Sequence, residues 1–116
     1  MKRISILIAL IACVMAVKVQ REVHVTEVDG GSISKTYWPN RVDKPEHAVD
    51  VTFSVPFIHP PTVQCNLFGL DIDKNRNLRV TCKVENVTET GCTIKLKTWA
   101  DTTIWKWEAN WIAFGH

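Results

Sequence analysis

The chain predicts an antiparallel β-sandwich. Three observations carry that expectation. Residues 92–114, CTIKLKTWADTTIWKWEANWIAF, hold two runs of two-residue period around a short polar turn. Further short alternating runs recur upstream at nearly regular spacing, separated by turn signals. Beyond the first residues, no stretch of useful length has a helical period. Successive side chains of a strand point to opposite faces, so a half-buried strand alternates and a sandwich repeats the pattern.

Residues 1–16 read as a secretory signal. Lys2 and Arg3 make a basic start, and Ile4 to Val17 is an apolar run too short to span a bilayer. Cleavage after Ala16 fits, with Val14 three positions from the cut. Leu10-Ile11-Ala12-Cys13 also fits a lipoprotein signal ending at Cys13. The full chain has 14 basic and 12 acidic side chains, and both excess bases lie in this segment. The mature chain is therefore electrically balanced. Nothing in it predicts a nucleic-acid footprint or membrane insertion. Its length suits one domain with one core.

Residues 17–25 alternate weakly, and Asp29-Gly30-Gly31 reads as a turn. Ser32 to Trp38 then pairs back as a short strand, making a hairpin and loop of residues 17–48. Residues 39–47, PNRVDKPEH, read as a surface loop because of their prolines and polar groups. The sandwich proper is expected over 49–116. Val49, Val51, Phe53 and Val55 alternate as a strand that Pro56 to Pro61 ends, since proline cannot donate to a ladder. Val63, Cys65 and Leu67 alternate next, followed by a polar loop at 71–77. Leu78, Val80, Cys82 and Val84 face one way and Arg79, Thr81, Lys83 and Glu85 the other.

In the last two runs, Cys92, Ile94, Leu96 and Thr98 share a face, which leaves Trp99 on the polar side. Asp101-Thr102-Thr103 makes the turn. Trp107 and Trp111 fall on the core face of the final run. Trp99 and Trp105 fall at the two mouths of the turn, where rings can meet a ligand.

Three cysteines remain after the signal: Cys65, Cys82 and Cys92, all at inward positions. An oxidising compartment predicts one bridge and one thiol left over. Cys65 and Cys82 lie on strands either side of the 71–77 loop, so a Cys65–Cys82 bridge is expected with Cys92 free. Asn86-Val87-Thr88 is a glycosylation acceptor triplet in a turn.

The residues point away from catalysis. His24, His47, His59 and His116 are scattered without metal-ligand spacing. No nucleophile elbow, phosphate-cradling glycine loop or cysteine–histidine signature occurs. Asp71 and Asp73 do not continue into a calcium loop. No metal or cofactor is expected. Arg79 and Trp99 are the polar-face pair suited to a ligand. A guanidinium offers a fixed fork of donors for hydroxyl oxygens, and an exposed indole offers a flat face for sugar C–H groups. The competing account puts Arg79 in a solvated face and Trp99 in subunit packing.

The run from Val51 to Ala113 resembles the H-type lectin domain, known from snail agglutinins and from discoidins. VTFSVPFIHPPTV, LDIDKNRNLRV, NVTETGCTIKLKTWADTTIW and WIA carry the likeness in order. The resemblance implies a six-stranded antiparallel β-sandwich, a homotrimer or hexamer, and sites for cell-surface glycans between subunits, many of them preferring N-acetylgalactosamine. Arg79 takes the place of the family's sugar-bonding arginine. Trp99 takes that of the tryptophan given by a neighbouring subunit, and Trp105 that of the aromatic six residues later. The family's histidine after this tryptophan is Ala100 here. PNRVD matches the upstream loop loosely, giving Asn40 for the backbone contact and Asp43, one residue out of register, for the aspartate; the strict position holds Val42. The resemblance implies a secreted multivalent lectin, agglutinating in defence or protecting eggs. The alternative is a secreted structural or storage protein of the same fold without the site.

Overall fold

The computed structural model describes residues 25–116. The signal segment and most of the alternation at 17–25 lie outside them. Six strands follow: β1 (Glu27–Thr36), β2 (Glu46–Thr52), β3 (Thr62–Ile72), β4 (Val80–Glu85), β5 (Gly91–Thr98) and β6 (Ile104–Gly115). They form two three-stranded sheets, β1-β6-β3 and β2-β5-β4. Every pairing is antiparallel, with β6 central in one sheet and β5 central in the other.

The inward faces meet as the alternation requires. Cys92, Ile94 and Leu96 of β5 and Trp107, Ala109, Trp111 and Ala113 of β6 are buried. Phe53, Phe57, Ile94 and Trp111 pack together at one end of the core. Leu96, Ile104, Trp107 and Ala109 fill the other, with Tyr37, Ile72 and Val80 against them. Burying side chains of this size is worth roughly 1.5–3 kcal/mol each for the aliphatic ones. This second cluster is the floor beneath the site described below.

Four segments differ from the sequence expectation. The chain does not turn at Asp29-Gly30-Gly31. β1 runs straight through it, and Ser32 to Thr36 pair with β6 rather than with residues upstream. The glycines answer to packing. A Cβ on Gly31 would stand 2.8 Å from Nε1 of Trp111, and one on Gly30 would stand 3.1 Å from that residue's carbonyl oxygen. β2 ends at Thr52, so Phe53 turns inward from a loop while Val55 is 59% exposed. β3 continues through Asp71 and Ile72, past a register shift between Leu67 and Gly69. β4 starts at Val80, which leaves Leu78 and Arg79 in the approach to the strand.

Candidate functional site

Arg79 and Trp99 occupy matching places. The last ladder pair of β4 and β5 is Val80 with Thr98. Arg79 and Trp99 are the next residue beyond it on each strand, so both sit at the same end of the sandwich. The sheet outer face is not where Arg79 lies, as its alternation suggested, but the rim is.

Three segments are tied together at this rim. The Thr98 amide and hydroxyl both donate to the Pro45 carbonyl oxygen, at 3.2 and 2.9 Å. The Lys44 amide donates to the Thr102 carbonyl oxygen at 3.1 Å, and Thr103 Oγ1 donates to Asp43 Oδ1 at 3.0 Å. Asp43 and Thr103 also form an isolated antiparallel bridge. The third segment joins through Thr102. Its Oγ1 accepts from the Arg79 amide at 2.8 Å and donates to the Asn77 carbonyl oxygen at 2.7 Å. Thr102 is 1% exposed and Thr103 is fully buried. The polar turn thus carries a buried latch at Thr102 and Thr103, its hydroxyls satisfied as burial demands.

Arg79 is held from the side. Its Nη1 donates to Asp101 Oδ1 at 2.8 Å, with both side chains more than a third exposed. The other carboxylate oxygen of Asp101 accepts from the Asn77 Nδ2 at 3.1 Å and from the Asn77 amide at 3.4 Å. Partial desolvation pushes the Asp101 carboxyl up, but the Asn77 hydrogen bonds, a backbone bond and the Arg79 charge together outweigh it and hold the pKa below the ordinary value. A guanidinium has five N–H donors, so one such contact leaves most of the fork for a ligand.

The aromatic groups divide. Trp99 is 43% exposed at the start of the turn. Ala100 beside it has a φ of 59°. Trp105 is half-buried, and Trp38, 64% exposed, meets it edge-on with ring centroids 5.2 Å apart. The Tyr37 and Trp38 amides both donate to the Trp105 carbonyl oxygen. The Asn40 amide donates to the Tyr37 carbonyl oxygen at 2.8 Å, so it is used within its own turn. Asp43 keeps its carboxyl below the usual range chiefly through the Thr103 hydroxyl and then through Arg41, whose Nε lies 3.1 Å from Oδ1. Asp101, Thr102 and Trp38 belong to this rim and have no motif of their own.

Other features lie elsewhere. A groove of about 280 Å³ lined by His59, Pro60, Pro61, Phe114 and His116 opens at the opposite end, where β6 finishes. Asn86, exposed with a φ of 54°, follows β4 at that far end too. Cys65 and Cys82 bring their sulfurs to 2.8 Å across the two sheets. Cys92 is buried nearby. Among the described residues no group of three or more His, Cys, Asp or Glu side chains could hold a metal.

Residues 48–114 match the H-type lectin domain, which is more than half of the chain. The chain belongs to the H-type lectin domain family. Domains of this family are in general sugar-binding modules rather than enzymes. A relative from Fuscovulum blasticum, "ATP synthase subunits region ORF 7", is 41% identical over 70 residues, covering 60% of this chain and 61% of that protein. This lectin domain therefore spans under two thirds of that relative. Discoidin II of Dictyostelium discoideum shares the fold, with a TM-score of 0.66 at 23% identity over 77% of this chain and 36% of the other. The tailspike protein gp49 of Pseudomonas phage LKA1 also shares it, with a TM-score of 0.59 at 24% identity over 78% of this chain and 15% of the other. The H-type lectin strands account for the rim: β4 and β5 deliver Arg79 and Trp99 to one end.

Proposed function

We propose that this H-type lectin is a secreted, multivalent glycan-binding protein without catalytic activity. It takes N-acetylgalactosamine or a related sugar at the rim that holds Arg79 and Trp99. The observation that carries the reading is the register of β4 and β5, which sets the fork of Arg79 and the open indole of Trp99 at one end of a lectin domain. Arg79 bonds ring hydroxyls, and Trp99 covers a sugar face from a neighbouring subunit. Trp105 and Asp43 border the same place. The family resemblance implies a trimer or hexamer, and several sites on one glycan-coated surface bind far more tightly than one shallow sugar site. The apolar run at 4–17 supports secretion, with cleavage after Ala16. Agglutination of foreign cells is the role such a molecule fits.

A structural or storage protein of the same fold is the second reading. Ala100 in the histidine position and Val42 in the aspartate position favour it. A glycan array probed with the purified secreted protein separates the two. Retention of N-acetylgalactosamine-terminated glycans is expected. An array with no bound glycan would leave the structural reading standing.

A further inference from the structure

We infer that Asp101 sets the specificity of this site: by holding one edge of the Arg79 guanidinium it makes the site accept uncharged sugars and reject sugars that carry a carboxylate. The inference rests on the lectin reading above. An arginine left open prefers a carboxylate, because its planar fork matches two oxygens at once and the charges attract. Here that preference is already met from within. Asp101 Oδ1 lies 2.8 Å from Nη1.

Asp101 cannot readily swing away. Its Oδ2 takes bonds from both the side chain and the amide of Asn77. Asn77 in turn is fixed by the Thr102 hydroxyl at its carbonyl. An incoming carboxylate would therefore sit beside a second carboxylate on the same guanidinium, and like charges at that spacing repel. A hydroxyl brings no charge and uses the donors that remain on the fork. Asp43, on the loop tied to the same turn, adds a second negative group with its own partner in Arg41. The rim thus offers directed donors from a guanidinium whose charge is already paired, with Lys44 the other cation beside Asp43.

Galactose and galacturonic acid differ only at C6, hydroxymethyl against carboxylate, and make a matched pair of probes beside N-acetylgalactosamine. Calorimetric titration at neutral pH is expected to give the parent protein a preference for galactose over galacturonic acid of about tenfold. Asp101→Asn keeps the shape and removes the charge. It is expected to move the ratio toward galacturonic acid by about tenfold, and Arg79→Ala added to it is expected to abolish the gain. Asp101→Ser is titrated alongside, so that a folding defect of the amide variant does not decide the matter. A parent that binds galacturonic acid as well as galactose, or a folded Asp101 variant whose ratio is unmoved, overturns the inference while leaving a lectin. A parent that binds none of the three sugars overturns the lectin reading and this inference with it.

Discussion

Thr102 Oγ1 accepts the Arg79 amide at 2.8 Å, from a residue only 1% exposed. The same oxygen donates to the Asn77 carbonyl at 2.7 Å, so one hydroxyl sets the backbone on which the arginine stands. Thr102→Val keeps the shape and removes both bonds. The Arg79 amide and Asn77 carbonyl are part-buried, so losing the two bonds costs about 0.5–1.5 kcal/mol each. Thermal unfolding should shift to lower temperature, and sugar affinity should fall with it. A variant that melts early yet titrates like the parent would show that the latch serves the fold alone.

Arg79 and Trp99 should separate in their effects. Arg79→Ala removes charge-assisted bonds worth roughly 1.5–3 kcal/mol each, so sugar binding should weaken about tenfold or more with the fold intact. Trp99→Ala removes an exposed indole that we place at a subunit boundary, so it should reduce binding and assembly together. Analytical ultracentrifugation of the parent should give a trimer or a multiple of it. A strictly monomeric parent at micromolar concentration would leave the shared site half built.

Ala100 adopts a φ of 59°, a region that costs an ordinary residue about 1–2 kcal/mol. Histidine is found there more readily than most side chains. Ala100→His therefore suits the backbone and adds a ring donor beside Trp99. It should tighten N-acetylgalactosamine binding without loss of melting temperature. Equal affinity in calorimetry would place the sugar away from this turn.

The Cys65 and Cys82 sulfurs meet between β3 of one sheet and β4 of the other. Burial first, and then the Cys65 hydrogen bond, pushes the Cys82 thiol up to about 12. Once oxidised by a disulfide-exchange partner in an oxidising compartment, the pair should be protected there. A bridge closing a loop of this size contributes about 3 kcal/mol. Peptide mapping of the secreted protein should find Cys65 joined to Cys82 and Cys92 alkylated only after unfolding. A bridge through Cys92 would refute this pairing.

Asp29 links β1 to the β2–β3 connection. Its Oδ2 accepts the Ser54 amide at 2.7 Å. That bond, chiefly, holds its carboxyl below the ordinary 3.8, against a smaller desolvation effect. A folded-state pKa that is lowered gives stability present above the unfolded value and lost as pH falls through the folded one. Melting temperature followed downward from about pH 5 should therefore fall more steeply in the parent than in Asp29→Asn. Parallel slopes would assign the acid sensitivity to other carboxylates.

The strands with one wet face were legible because alternation reports burial directly. Cys92 to Thr98 and Trp107 to Ala113 bury the residues that their spacing selects. Gly30 and Gly31 misled because glycine serves two ends. They leave room under Trp111 rather than turning the chain, and that need is set by a residue far away in sequence. Thr102 and Thr103 looked like turn hydroxyls for the same reason: their partners Asn77, Arg79 and Asp43 are distant along the chain. Arg79 and Trp99 could be singled out as unusual residues on polar faces. The clasp of Asp101 on Arg79 could not, since no local pattern announces an ion pair closed by folding.

β6 comes after every strand it organises. Glu27 of β1 pairs with Gly115, and Thr62 of β3 pairs with Phe114. While the chain emerges from the ribosome, β1 and β3 have their hydrogen-bonding edges ready and nothing to pair with. Pairings of such long sequence separation close slowly, and the open edges invite other chains in the meantime. Closure of the β1-β6-β3 sheet must therefore wait for β6. A frameshift before residue 104 would remove the shared strand and scatter one whole sheet rather than fray its edge.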